Sequence, residues 1–367
     1  MGSLKVGFAL LSGVQNPAPS TRIACLNLFP HLSAMGVEPM VVFDPSKATL
    51  EPDMAGVAER AAANRCDAVV LQKIRGASVL RCVARLRELG IASIYCVCDL
   101  VDEAMASAVD RTAAVTEYLR SLYAPRLQPM IDVVHDGIER PHLQKFSSAH
   151  APLKIPQAAF VTSHEVYQLP VFGIPPAPWH VDMVGDYPRE AAERVTSLRW
   201  ALMREPNLAA DLAMLRAALH RRITHTPWSI DGVYERLLRA DIGIIPIDAS
   251  QVGINPHAPV PSWRLKSENR LTLMMALALP VIATPIPSYE AVIEHGVNGF
   301  LAPTRGDWTR RFNELRDPAL REEMGVRARL SVIDRYSAAS QAQRLVECTR
   351  RALTQIRRVG EASTLPG

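Results

Sequence analysis

The sequence predicts an α/β protein of two domains, each a parallel sheet wrapped in helices, and three observations carry the expectation. Short apolar runs of strand length alternate with longer amphipathic segments along almost the whole chain, the pattern of repeated βα units with right-handed crossovers. The alternation lapses over residues 139–156, a polar stretch with proline and serine and no sustained apolar period, and then starts again. The 367 residues, 48% of them hydrophobic, suffice to bury two cores of ordinary size. The expected divisions are a first domain over 1–150, a second over 151–336, a terminal helix over 337–358 and a tail over 359–367.

The first domain opens on a continuously apolar, hence buried, strand over 5–11, then a loop over 12–20 with two prolines, then a helix from about 21 to 35 that stops at Gly36. Strand 37–43, helix 53–64, strand 67–72, helix 77–89 and strand 91–98 repeat the unit. Asp99 and Asp102 sit just past the end of that last strand, and function collects at strand carboxyl ends in open parallel sheets. A helix, a short strand over 113–115, a helical 117–122 and a strand over 130–135 complete the domain, running into His135-Asp136-Gly137-Ile138. His135 reads equally as an acid, base or orienting group and as a histidine satisfied at a strand end.

The second domain begins with strand 157–163, whose loop offers Ser163 and His164. Strand 179–185 follows, ending at Asp186; 189–219 is mostly helical, 222–228 a short strand, 231–239 a helix and 241–247 a buried strand ending at Asp248. The long proline-rich loop 249–263, with His257, has the length of a functional segment. It leads into the stretch on which the chain is organised, 264–301: a basic turn (Arg264, Lys266, Ser267, Asn269, Arg270), an apolar helix to Ala278, a buried strand 280–283, a proline-rich turn, a second helix through 290–295 and a closing turn at 296–299. At the start of the first of these helices backbone N–H groups lack partners and the dipole is positive. Ser267 is a good N-cap, and three cations surround the point, so an anion fits there; the other reading is a solvated helix start with ordinary surface cations. Helices from about 307 and 319 follow, and the last helix carries Ala342, Leu345, Val346, Cys348, Ala352, Leu353 and Ile356 near helical period.

Charged residues make up 21% of the chain, so disorder is not expected. A net charge of +4 suits a protein that handles anions, but with no lysine or arginine run and no basic patch interleaved with aromatics it does not argue for nucleic acid. The six cysteines (Cys25, Cys66, Cys82, Cys96, Cys98, Cys348) are scattered through the expected core and read as reduced thiols of a cytoplasmic protein. Cys96 and Cys98 share a strand face, without the partner ligands a metal would need. The first apolar run, in MGSLKVGFALLSG, is too short to span a bilayer, and neither a signal peptide nor a membrane helix is expected.

The run LALPVIATPIPSYEAVIEHGVNGFLA (277–302), followed by DPALREEMGVRARLSVIDRYS (317–337), resembles the C-terminal half of GT-B fold glycosyltransferases of the "group 1", family 4 lineage. The likeness is close over the last third of the chain and is a pattern of elements before it. It implies two Rossmann-like domains facing a cleft, with the terminal helix crossing back onto the first. It also implies transfer of a sugar from a nucleotide-diphosphate donor to a glycan, lipid-linked or small-molecule acceptor, in relatives with this Lys-Ser-x-Asn-Arg turn for surface polysaccharide assembly. By that resemblance Lys266 and Ser267, with Arg264 or Arg270, hold the diphosphate, and Ser288, Tyr289 and Glu290 lie near the nucleoside or donor sugar. Ser20, Thr21 and Arg22 take the place of a glycine pair on the acceptor side, and His135 with Asp136 lines the cleft. His135, Asp99 and Arg22 are the candidate catalytic residues.

The chain also departs from the pattern. Aligned on residues 279–282, the paired glutamates of many relatives fall on Leu265 and Leu273, and Glu268 and Asn269 are the polar residues beside them. No Asp-x-Asp motif occurs, so the expected route is metal-free, with fixed cations and a helix dipole stabilising the leaving group and no cofactor beyond the nucleotide sugar as substrate. The expected partners are a nucleotide sugar and a glycan or lipid-linked acceptor, with no nucleic acid. The terminal helix face with Arg344, Arg350, Arg351, Arg357 and Arg358 also suits peripheral contact with the inner membrane, second to packing on the first domain. A scaffold that binds nucleotide or sugar without turnover remains the alternative class.

Overall fold

A computed structural model describes residues 3–145, 155–162, 173–190, 215–249 and 260–364, with scattered positions between 192 and 212 and side chains as far as Ile356. Ser163, His164, His257, most of the helical stretch 189–219, and the side chains of Arg357 and Arg358 lie outside the described residues. The chain forms two compact units. The first comprises Met1–Glu139, Gly253–Ser267 and Arg335–Gly367; the second comprises Arg140–Val252 and Glu268–Asp334.

In the first unit six strands, β1 (Leu4–Ala9), β2 (Val37–Phe43), β3 (Ala68–Gln72), β4 (Ala92–Val97), β5 (Arg111–Ala114) and β6 (Ile131–Val133), form one parallel sheet in the order β2-β1-β3-β4-β5-β6. β3 and β5 are buried at every residue, because helices cover both faces of the sheet. Alternation along β3 divides the cores: Val69 and Leu71 pack with Val57, Ala61, Val83 and Leu86 of helices Val57–Ala63 and Ala77–Glu88, while Ala68 and Val70 face the opposite side. That opposite side is covered by the terminal helix Ala338–Thr364 through Ala342, Leu345, Val346, Cys348 and Ala352, so the helix returns to the first unit as expected. Its Arg351 also meets Asp132 at 2.9 Å, and Asp132 in turn holds Arg111 at 2.9 Å, both of these strand residues nearly buried. The helix expected over 21–35 is broken into Pro19–Ala24, a 3-10 turn Leu26–Leu28 and Phe29–Ala34. Pro30 has no N–H to donate and its ring crowds the preceding turn.

Two stretches fall on the other side of the boundary from the sequence expectation. Residues 260–267, placed by the sequence in the second domain, belong to the first unit, where Leu265 is buried in the core and the Arg264 guanidinium lies 5.4 Å over the Tyr118 ring. The chain also leaves the first unit at Glu139 rather than at 150. Arg140 bonds Asp231 at 2.5 Å, Lys145 meets Asp241 at 3.3 Å, and Arg329 donates to the carbonyls of Pro141 and Leu143 at 2.7 and 3.1 Å. A polar linker has no apolar period of its own, so a few anchoring side chains decide which core it joins.

The second unit has six parallel strands, β7 (Gln157–Val161), β8 (His180–Gly185), β9 (Ile223–Pro227), β10 (Ile242–Ile245), β11 (Val281–Ala283) and β12 (Phe300–Leu301), in the order β12-β11-β10-β7-β8-β9. Read from β9 this is the 3-2-1-4-5-6 order of Rossmann folds, whereas the first unit has the 2-1-3-4-5 order of the other common doubly wound sheet with β6 added at its edge. The strand order therefore reverses between β7 and β10 in one unit and between β1 and β3 in the other. Both reversals create a crevice at the carboxyl ends. Among the described residues no helix is long and apolar enough to cross a membrane.

Candidate functional site

In the second unit the helix Asn269–Ala276 connects β10 to β11, so its amino end lies at the carboxyl edge of the parallel sheet. Ser267 does not cap it. Glu268 occupies the N-cap position with no side-chain capping bond, and the Ser267 hydroxyl instead donates to Asp136 Oδ2 at 2.8 Å in the first unit. Ser267 lies one residue before the N-cap position, from which capping hydroxyls accept first-turn N–H groups, and a nearly buried carboxylate is the stronger acceptor for its hydroxyl. Among the described residues the first-turn amides thus have no side-chain cap, at a point where the dipole is positive.

Around this helix start the unit gathers Glu268, Arg270, Ser288, Tyr289 and Phe160. Arg270 lies over the ring of Phe160, 5.9 Å from its centroid, and Phe160 belongs to β7, one of the two strands at the reversal. Ser288 and Tyr289 come from the short helix Pro287–Glu290 just after β11 and are buried, Tyr289 completely. The Tyr289 hydroxyl has no hydrogen-bond partner among the described residues. Burial pushes its pKa up, and the charge of Arg270 opposes that while Glu268 reinforces it. Glu290 is exposed and stands apart from this buried group. Thr284 ties the neighbouring strand ends together, its N–H donating to Ile245 O at 3.1 Å and its hydroxyl accepting from Ile247 N at 2.9 Å.

The first unit treats its expected residues differently. Thr21 is fully buried: its hydroxyl bonds Ser12 Oγ at 2.8 Å and Gln72 Oε1 at 3.0 Å, and Gln72 also accepts Leu11 N–H at 2.9 Å. The loop after β1 is thereby sewn to the end of β3 through the Thr21 hydroxyl. Ser20 is half-buried beside it. Arg22 is engaged by both oxygens of Glu139, at 2.7 and 3.2 Å, in a well-matched fork. His135 is nearly buried, its backbone N–H donating to Gln341 of the terminal helix at 2.9 Å and its ring 4.8 Å from that of Tyr336. Asp99 is 47% exposed and pairs with Lys73 at 2.7 Å, each at the carboxyl end of its strand.

Sequence reasoning missed Lys73, Glu139 and Gln341. Lys73 immediately follows a strand, and applying the carboxyl-end rule to every strand would have found it. Glu139 and Gln341 carry no such mark, since their partners are 117 and 206 residues away. Arg264 and Lys266 lie with Ser267 in the first unit. All six cysteines are free thiols, with burial pushing Cys82 up to about 11, and among the described residues no three metal-ligating side chains form a metal-holding group.

No family model matches the sequence, and no curated protein matches it either. Solved structures match the fold. A glycosyltransferase from Rickettsia africae ESF-5, 12% identical, aligns over 96% of this chain and 99% of that one with a TM-score of 0.70. Sucrose-phosphate synthase from Thermosynechococcus elongatus, 13% identical, aligns over 96% and 99% with a TM-score of 0.65. HepE from Anabaena, solved in complex with UDP and glucose and 13% identical, aligns over 94% and 98% with a TM-score of 0.62. Identities this low establish a shared fold, and the fold is GT-B: two Rossmann-like units in one chain.

Proposed function

We propose that this GT-B chain is a glycosyltransferase that takes a sugar from a nucleoside-diphosphate donor and attaches it to a hydroxyl of a glycan, lipid-linked or small-molecule acceptor. The observation that carries the reading is the group at the β7/β10 reversal, where uncapped amides, the Arg270 guanidinium and the unpartnered Tyr289 hydroxyl meet at the carboxyl edge of a Rossmann-ordered sheet. Sugar transfer builds negative charge on the departing diphosphate, and fixed donors aimed at that charge lower the barrier. Arg270 and the amides from Asn269 onward supply them. Glu268, an acceptor, suits ribose hydroxyls rather than phosphate. The absence of an Asp-x-Asp motif supports a route in which these groups need no metal, and the UDP complexes of HepE support a uridine nucleotide.

Substitution of the paired glutamates favours one second reading, a GT-B protein that binds nucleotide or sugar without turnover. Leu265 is buried in the first unit's core and cannot serve in a glutamate's place, and Leu273 is apolar as well. One experiment separates the two. Release of UDP from UDP-glucose, UDP-galactose or UDP-N-acetylglucosamine by the purified chain supports the transferase; binding of UDP with no release from any of the three supports the second reading; no binding of UDP removes both.

A further inference from the structure

Three non-glycine residues among those described have a positive φ: Arg65, Lys73 and Ala278. Arg65 and Ala278 lie just past helices Val57–Ala63 and Asn269–Ala276, where a left-handed residue commonly closes the helix. Lys73 closes no helix. It follows β3 at the carboxyl edge, beside the reversal between β1 and β3, with a φ of 61°, and strain of this kind in such a place points to function. The bend keeps the Lys73 N–H on Cys96 O of β4 at 2.8 Å while sending the side chain to Asp99 at 2.7 Å. The lysine side chain is 17% exposed and the aspartate 47%, so the cation is covered and the carboxylate is open.

We propose that the Lys73–Asp99 pair is the part of the first unit that docks the hydroxyls of an uncharged sugar, the acceptor end of the transfer proposed above. The inference rests on that reading for its role in the reaction. A carboxylate bound to one ammonium keeps lone pairs for incoming hydroxyl donors, and the ammonium has further N–H groups for a hydroxyl oxygen. Charge selects the ligand class. The covered member of the pair is the lysine and the open member is the carboxylate. An incoming phosphate or carboxylate meets the exposed Asp99 charge first and is repelled by it, whereas a neutral hydroxyl can donate to it.

The test is saturation-transfer difference NMR on the full chain with d-glucose, d-galactose and d-mannose, and with glucose 6-phosphate as the charged comparison. At least one neutral sugar is expected to show transfer, falling fivefold or more in Asp99→Asn and in Lys73→Gly, and the Asp99-dependent signal of glucose 6-phosphate is expected to be weaker than that of glucose. Glycine adopts the positive φ without strain, so Lys73→Gly removes the side chain and spares the fold, which a thermal melt verifies. No transfer from any of the three sugars, wild-type signals in both variants, or an equal Asp99-dependent signal from glucose 6-phosphate overturns the proposal. Calorimetric titration with UDP is read beside it. A chain that binds UDP and no sugar loses only this inference, and one that binds sugar through Asp99 but not UDP keeps the subsite and loses the transferase reading.

Discussion

Arg270→Met is the perturbation that separates binding from folding most cleanly. Among the described residues Arg270 makes no ion pair; its contact is with the face of Phe160 at 5.9 Å. Removing the charge therefore costs folding only a cation–π contact, about 0.5–1 kcal/mol at an exposed or half-buried position, which lowers the melting temperature by less than about 4 °C. The methionine keeps the unbranched apolar stem over the ring. A phosphate oxygen held by the guanidinium loses a charged hydrogen bond worth about 1.5–3 kcal/mol, and at about 1.4 kcal/mol per tenfold the UDP dissociation constant rises by about 10- to 150-fold. Isothermal titration of UDP into wild type and variant reads the binding term, and a melt of each reads the folding term. A dissociation constant that moves by less than about threefold while the melt is unchanged would falsify the placement of the diphosphate at this helix start.

Three further outcomes follow from the packing. Tyr289→Phe removes a fully buried hydroxyl without a partner among the described residues; stability should rise by about 1 kcal/mol in urea unfolding, since an unsatisfied buried group costs about 1–3 kcal/mol, while affinity for UDP-glucose falls, and a destabilised variant means the hydroxyl is bonded within the protein. Gly137→Ala places a Cβ 2.9 Å from the backbone Cα of Ala338 at the start of the terminal helix, so a loss of about 1–3 kcal/mol and faster amide exchange in that helix are expected; unchanged exchange would contradict the close approach. Burial opposes the Lys73 charge, but the charges of Cys98, Asp99 and Asp136 and the hydrogen bond to Asp99 outweigh it and raise its pKa. A lysine whose folded pKa exceeds its unfolded value of about 10.4 stabilises fully below that pH and loses the contribution as pH rises through the folded pKa. The urea midpoints of wild type and Asp99→Asn should accordingly converge as pH rises above about 10.4, and parallel curves would show that the pair does not hold the proton.

The parallel strands were legible because their residues are buried on both faces and so read as continuous apolar runs: Ala68–Gln72 and Arg111–Ala114 are buried throughout, and the former lies within one residue of its expected bounds. The terminal helix was legible by its period, and Ala342, Leu345, Val346 and Ala352 do cover the sheet. The helix start near residue 268 was legible too, from its basic turn and the apolar run behind it. Its cap was not. A choice between Ser267 and Glu268 at the N-cap depends on whether a carboxylate competes for the serine hydroxyl, and Asp136, which wins it, lies 131 residues earlier.

Arg22 shows the same division. Its position in a first βα turn follows from sequence, yet its partner Glu139 lies 117 residues on, and only folding brings the two together. Local spacing determined which segments are strands, which are helices and where the carboxyl ends fall, because burial and helical period act on neighbouring residues. The tertiary structure decided which polar groups at those ends are already satisfied and which stay open. Hydrogen bonds and ion pairs close over a few ångströms of space irrespective of the chain between them, so Thr21 and Arg22 are consumed within the first unit while Asp99 remains exposed and the Tyr289 hydroxyl finds no partner among the described residues.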